Sequence, residues 1–295
     1  MRWLVTGGAG FIGGHLVERL AGRAAVRVLD DFRTGSRANL AGLACETIEG
    51  SILDPGALAR AMEGVDAVAH LAALVSVQES IVDPETCLSI NTTGTLRVLA
   101  EAARRGVKAL VFASSAAVYG DDPAVPVGED AAPRPLSPYA LSKFDGECLC
   151  GMFGAAGRLR TVCLRFFNVF GPRQDPKSPY ASVVPVFTER ARRGEPLVVC
   201  GDGEQTRDFV HVRDVARAIE HFASRPDLEG VFNIGTGRGT TVNELAARLA
   251  ARAGVAVEHG PARPGEVRHS VADVRRAAAA GFAASPAPEG IGDAG

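Results

Sequence analysis

The chain has 295 residues, 46% of them hydrophobic and 22% charged, with 32 basic against 34 acidic side chains. That composition is globular rather than disordered, and at ~150 residues per domain the length allows one large domain or two ordinary ones. A net charge of −2 argues against a general binder of nucleic acid or anionic membrane, which carries a basic excess.

The first apolar run, Trp3–Val5, leads through Thr6-Gly7-Gly8-Ala9-Gly10 into a helical stretch over Phe11–Leu20. Further runs at Val26–Leu29, Ala67–Leu71, Leu110–Ala113 and Val162–Phe166 alternate with helical segments at Pro84–Arg105 and Pro138–Phe153. Strands alternating with helices of this length imply parallel crossovers. Continuous apolar strands imply a sheet covered on both faces. After Asn168 the texture changes. Gly171–Pro179 is rich in Pro and Gly, and a helix is predicted through Val183–Arg193. A strand at Leu197–Cys200 precedes the turn Gly201-Asp202-Gly203. Phe209–Val212 and Val231–Ile234 read as strands, Val212–Ser224 and Val242–Ala253 as helices. The Ala-rich tail from Ala277 is expected to fray.

No apolar stretch reaches the ~18 residues of a membrane span. The N-terminal apolar run continues into glycines, which does not fit a secretory signal peptide. The expectation is a cytoplasmic protein without a targeting extension or membrane contact. The six cysteines, Cys45, Cys87, Cys148, Cys150, Cys163 and Cys200, form no CxxC pair and read as reduced thiols. No metal site is expected, since clustered Cys and His at ligand spacing are not visible.

Glycines 7, 10 and 13 sit between the first strand and the first helix. There they allow a tight turn, backbone close to a pyrophosphate, and close helix–strand packing. The helix N-terminus at Phe11, Ile12 and Gly13 offers N–H groups and a positive dipole end to the phosphates. The second strand ends at Asp30-Asp31. An acid ~20 residues past the glycines accepts from the adenosine ribose hydroxyls and repels a 2′-phosphate, favouring NAD over NADP. Arg33 stands close by and works against that preference.

Phe112-Ala113-Ser114-Ser115 ends a strand, and Tyr139-Ala140-Leu141-Ser142-Lys143 opens a helix after Ser137-Pro138. Tyr139 and Lys143, at i and i+4, share one helical face. An ammonium beside a phenol lowers its pKa from ~10, which suits tyrosine to acid–base work. A serine hydroxyl at the strand end can share the proton and orient a substrate oxygen. Only Lys108, Lys143 and Lys177 are lysines, which makes Lys143 conspicuous.

These motifs resemble the extended short-chain dehydrogenase/reductase family, in its nucleotide-sugar epimerase/dehydratase branch. The similarity continues through His70-Leu71-Ala72-Ala73, Asn91, Phe167-Asn168-Val169-Phe170-Gly171, Gly201-Asp202-Gly203, Arg207-Asp208-Phe209 and Arg263-Pro264-Gly265-Glu266-Val267. It implies an α/β fold: a Rossmann-type doubly wound parallel sheet with a smaller C-terminal α/β substrate domain. Residues 1–167 plus roughly 208–235 are expected to bind NAD, and 168–207 plus 236–295 the substrate. Tyr139 is implied as base, Lys143 as phenolate stabiliser and nicotinamide-ribose ligand, and Ser115 as hydroxyl partner, with Ser114 the competing choice. Gly7, Gly10, Phe11, Ile12, Gly13, Asp30, Asp31, Ser51, Ile52, Leu71, Ala72, Ala73 and Asn91 are the remaining implied NAD contacts. A homodimer through helices around Pro84–Arg105 and Tyr139–Phe153 is also implied.

Related 4,6-dehydratases carry an Asp-Glu pair after the catalytic hydroxyl residue, and decarboxylases an acid. This chain has Ala116-Ala117, which cannot transfer protons. The resemblance therefore implies oxidation at C4 followed only by return of the hydride, a 4-epimerase. It implies a UDP-sugar substrate with Asn168, Arg207 and Arg263 on the diphosphate. Glu266 would lie near the nucleoside ribose, Val198 and Cys200 beside the base, and Ser76 and Ser115 in the sugar pocket. Arginine suits phosphate through its planar fork. Ser270 stands where glucose-restricted relatives hold tyrosine, leaving room for an N-acetyl group. UDP-GlcNAc/UDP-GalNAc interconversion is expected, together with UDP-Glc/UDP-Gal. UDP-glucuronate 4-epimerisation, 4,6-dehydration and a non-catalytic NAD-binding module remain alternatives. The chain departs from the pattern at Ser51, where relatives have Asp, and in stopping soon after Pro288-Glu289-Gly290.

Overall fold

The computed structural model describes residues 1–121, 124–175, 182–262 and 267–286. In the first half the strands are β1 (Arg2–Thr6), β2 (Ala25–Asp30), β3 (Glu46–Glu49), β4 (Ala67–His70), β5 (Ala109–Ser115) and β6 (Arg160–Phe166). Between them run α1 (Phe11–Leu20), α2 (Pro55–Ala61), α3 (Val77–Val82), α4 (Pro84–Leu88), α5 (Gly94–Arg104) and α6 (Pro138–Ala155). The second half adds β7 (Asn168–Phe170), α7 (Val183–Arg192), β8 (Leu197–Cys200), β9 (Thr206–Arg207), β10 (Phe209–His211) and α8 (Val212–Ser224). It continues with β11 (Gly230–Ile234), β12 (Thr240–Thr241), α9 (Val242–Ala253), β13 (Val257–Gly260), β14 (His269–Ser270) and α10 (Arg275–Ala279).

Seven parallel strands form one sheet in the order β11-β6-β5-β4-β1-β2-β3. Because side chains alternate along a strand, each strand feeds two cores. Trp3 and Val5 join one cluster with Leu16, Val17, Ile219 and Phe222 of α1 and α8. Leu4 joins the opposite cluster with Leu58, Val98 and Leu99 of α2 and α5. Val111 and Leu110 of β5 divide in the same way. The fold is therefore the doubly wound Rossmann type that unbroken apolar strands require. The sheet order reverses at β1, between β2 and β4, and the crevice at this switch point is where such sheets bind ligands.

A separate cluster gathers Phe170, Val184, Phe187, Leu197, Val199, Leu245 and Leu249 from β7, α7, β8 and α9. Small sheets accompany it: β10 with β7, β13 with β8, and β12-β9-β14. Caps set the helix boundaries. Ser137 accepts from the Ala140 N–H ahead of Pro138 in α6, and Thr241 with Glu244 forms a reciprocal capping box on α9.

Three expectations differ. The helix expected over Pro84–Arg105 contains a π-helical turn at Ser89–Thr93 between α4 and α5, a local widening that hydrophobic spacing does not report. β3 went unpredicted because its sequence, Glu-Thr-Ile-Glu, is polar and lies at the sheet edge. The tail from Ala277 does not fray at its start. Ala277, Ala280 and Phe282 are buried against the first core, and the Phe282 ring lies 6.0 Å from Phe222. One aromatic anchors a stretch whose alanines alone predict little burial. No helix among the described residues is long and apolar enough to cross a membrane.

Candidate active site

The glycine loop opens at the end of β1, beside the switch point. Gly7 has φ +71° and donates to the Leu29 carbonyl at 2.9 Å. A Cβ on Gly7 would stand 2.7 Å from the Ala72 nitrogen, and one on Gly13 would collide with the Gly7 carbonyl. Among the described residues, a Cβ on Gly10 meets only the Gly7 carbonyl, at 3.3 Å, and no side chain caps α1. The first-turn N–H groups, Phe11 and Ile12 among them, lie at the positive end of the helix. This cradle fits a dinucleotide pyrophosphate: two glycines let the loop close on itself, and the third leaves the helix terminus open to approach.

Asp30, at the C-terminal end of β2, is 7% exposed. Its carboxylate accepts from the Ala9 N–H at 2.8 Å and the Phe32 N–H at 2.9 Å. Burial raises its pKa, and those hydrogen bonds oppose the rise. Asp31 is exposed and accepts from the Arg33 N–H. On the other side of β1, Leu71 and Ala72 donate to Thr6, through its carbonyl and its hydroxyl. Ala73 follows, partly exposed. Ile52 is buried, and a Cβ on Gly94 would strike it. The Ser51 hydroxyl accepts from the Leu53 N–H in a local turn. Asn91 lies in the π-helical turn with its amide turned to the protein. It accepts from the Leu74 N–H and donates to the Leu74 carbonyl and to Ser142 Oγ. It thus fastens the 71–75 segment to α6, one residue from Lys143.

On α6, Lys143 is 4% exposed. Its ammonium donates to the Ala113 carbonyl at 2.9 Å and sits 5.7 Å from the Tyr139 ring centre. Against the expectation of a lowered phenol, burial raises Tyr139, while the hydrogen bond from Ser115 works the other way. Burial also lowers Lys143 to about 8. Both shifts have one cause: each charged form loses its water. The two adjacent serines separate cleanly. Ser115 interacts with Tyr139 and accepts from the Ala117 N–H. Ser114 donates to Glu147, whose carboxylate is also paired with Arg165 at 2.7 Å inside the protein.

The second half supplies the substrate-side candidates. Asn168 heads β7 and donates its N–H to the Asp208 carbonyl. Arg207 on β9 and Ser270 on β14 are direct register partners, so two residues 63 positions apart become neighbours. Val198 and Cys200 alternate with the buried Leu197 and Val199, which turns them to the partly exposed face of β8. The Ser76 hydroxyl caps α3 by accepting from the Glu79 N–H. Arg263 and Glu266 lie outside the described residues. Gln174, within the Phe170–Pro176 stretch whose sequence resembles epimerases of N-acetylhexosamines, places a buried Oε1 without a partner among the described residues. Its amide donates to the Val169 carbonyl and to Ser182.

The sequence profile of the NAD dependent epimerase/dehydratase family matches residues 3–235. The UDP-glucose 4-epimerase of Mycolicibacterium smegmatis is 40% identical over 289 residues, covering 94% of this chain and 91% of that protein. The UDP-N-acetylglucosamine 4-epimerase of Methanobrevibacter ruminantium, solved with UDP-N-acetylmuramic acid, superposes with a TM-score of 0.95 at 35% identity. That match covers 99% of this chain and 96% of the other. The Thermotoga maritima UDP-glucose 4-epimerase, solved with UDP-glucose, gives 0.94 at 38% identity over 100% and 97% of the two chains. With profile, sequence and fold in agreement across nearly its whole length, the chain belongs to the NAD-dependent epimerase/dehydratase family.

Proposed function

We propose that the protein is a UDP-sugar 4-epimerase that interconverts UDP-GlcNAc with UDP-GalNAc and UDP-Glc with UDP-Gal. The observation that carries this reading is the end of β5. Ser115 and Tyr139 meet there with Lys143 behind them, and the next two residues, Ala116 and Ala117, bring no carboxylate. The nearby Glu147 is held by Arg165 and Ser114 and is not free to move a proton.

In this reading Tyr139 takes the proton of the sugar 4-hydroxyl and later returns it. Ser115 orients the same oxygen and shares the proton. Lys143 places a positive charge near the developing phenolate. The glycine loop and Asp30 would hold NAD, which would supply the hydride acceptor and donor for C4. Asn168, Arg207 and Arg263 hold the diphosphate, and Glu266, Val198 and Cys200 the nucleoside. Ser76 and Ser270 border the sugar. No net oxidation results, so the enzyme is an isomerase. Support for the substrate class comes from the named activities of the relatives. The proposed NAD-binding part is 1–167 plus 208–235, and the substrate part is 168–207 plus 236–295. Among the described residues, the separate α7–β8–α9 core supports that division, although Phe209 of β10 packs with the substrate part. The protein is proposed to work in the cytoplasm as a homodimer.

The test is a panel of UDP-sugars, UDP-glucuronate included, followed by NMR of the C4 configuration. Interconversion of the gluco and galacto forms without NADH accumulation is expected. A 4-keto-6-deoxy product, or stoichiometric loss of NAD, overturns the reading. In the same assay Ser270→Tyr should depress the acetylated relative to the non-acetylated rate by at least ~10-fold, the scale of a steric clash in a pocket. An unchanged ratio sinks the assignment of Ser270.

A further inference from the structure

The segment leaving β2 is charge-balanced in sequence, with Asp30, Asp31, Arg33 and Arg37. Such a segment does not by itself choose between a ribose 2′-hydroxyl and a 2′-phosphate, since acids repel the phosphate and arginines bind it. The structure removes that balance. Arg33 turns away from its own segment and places Nη2 2.5 Å from Glu79 Oε1 on α3. Asp83, one turn further on, also feels the Arg33 charge, although its hydrogen bonds to Thr86 do more to lower its carboxyl. Arg37 stacks 4.1 Å over the Phe32 ring and is paired with Glu49 on β3. Both cations are thus matched by acids from outside the segment, while among the described residues Asp30 and Asp31 keep only backbone N–H partners.

Topology says where the first pair lies. Arg33 follows β2 and Glu79 follows β4, and these are the two strands that flank β1. Their ion pair therefore spans the C-terminal end of β1, where the glycine loop opens. We propose that Glu79 is a specificity-determining residue for the cofactor: by drawing Arg33 onto α3 it withholds a cation from a 2′-phosphate and so favours NAD over NADP. The inference depends on the dinucleotide and not on which sugar is epimerised.

The pair is weak enough to exchange partners, because both side chains are about two-fifths exposed. Breaking such a pair is worth a factor of up to ~5. Losing a like charge near the phosphate adds to it, so a rise of about 10-fold in the bound NADP:NAD ratio is expected for Glu79→Gln. The protein is dialysed to equilibrium against equimolar NAD and NADP, and bound nucleotides are released with acid and separated by ion exchange. Wild type should carry NAD. Adding Arg33→Gln to Glu79→Gln should remove the share of the rise that Arg33 supplies and bring the ratio to within about two-fold of the wild-type value. A Glu79→Gln ratio within two-fold of wild type overturns the proposal, as does a rise that survives undiminished in the double variant. Arg33→Gln alone keeps the proposal open to refutation even if Glu79 variants fold poorly. It should leave the ratio unchanged, and a several-fold fall would mean that Arg33 already serves the phosphate.

Discussion

At the scale of single residues, burial decides the chemistry of α6. Lys143 is enclosed, and its pKa falls to about 8 because the ammonium loses its water. In the unfolded chain the same group titrates near ~10.4. Between those values the unfolded state binds more protons than the folded one, so this group's contribution to stability rises with pH across that window. Lys143→Met should therefore raise the melting temperature near pH 7, with the gain shrinking toward pH 10, while epimerisation is lost. Thermal melts of both proteins at the two pH values test this, and equal shifts at both would refute it. The two serines divide similarly. Ser115→Ala should cut kcat by about 10²-fold, the lower range for a proton-handling group, with little change in stability. Ser114→Ala should spare kcat and reduce stability, because it strips a partner from a buried carboxylate. Kinetics and urea melts on both variants separate these outcomes.

At the scale of elements, a buried ion pair joins the Lys143–Ala113 hydrogen bond in fixing α6 to the sheet. Tyr139, Lys143 and Glu147 recur every four residues, and Glu147 meets Arg165 of β6 and Ser114 of β5. Removing one partner leaves an uncompensated buried charge, so Glu147→Ala should cost about 3–5 kcal/mol. The joint replacement Glu147→Leu with Arg165→Met should cost less than Glu147→Ala alone, because no charge is stranded. Urea denaturation of the three proteins measures the difference, and a double variant weaker than the single one would contradict the argument. The sequence made this element's start legible, because Ser137-Pro138 is a local cap signal and Tyr-x-x-x-Lys is a local spacing. Glu147 carried no such sign, since its partners lie 33 and 18 positions away. The Arg207–Ser270 register and the Arg33–Glu79 pair were hidden for the same reason. The glycine loop, by contrast, was readable at once: its three glycines and the helix terminus they open lie within the first thirteen residues.

At the scale of the whole molecule, one exposed apolar surface lies on α5 and α6. Leu141, Cys148 and Met152 are exposed at i, i+7 and i+11, on one stripe of α6. Leu96 of the adjacent α5 is 43% exposed. Elsewhere these helices bury their apolar side chains, Val98 and Leu99 on α5 and Cys150 and Phe153 on α6. A stripe of this spacing is what one helix pair offers another when a four-helix contact forms. It also lies on the helices that carry Tyr139 and Lys143 and that Asn91 braces, so an interface there would stiffen the proposed catalytic face. The contact is isologous if the partner is a second copy, and each substitution then acts twice. Sedimentation should accordingly give twice the 30.7 kDa chain mass. Leu141→Glu combined with Met152→Glu should yield a 30.7 kDa species whose circular dichroism is unchanged. A wild-type protein that sediments as a monomer at micromolar concentration would show instead that this stripe is simply exposed and that the catalytic face stands without it.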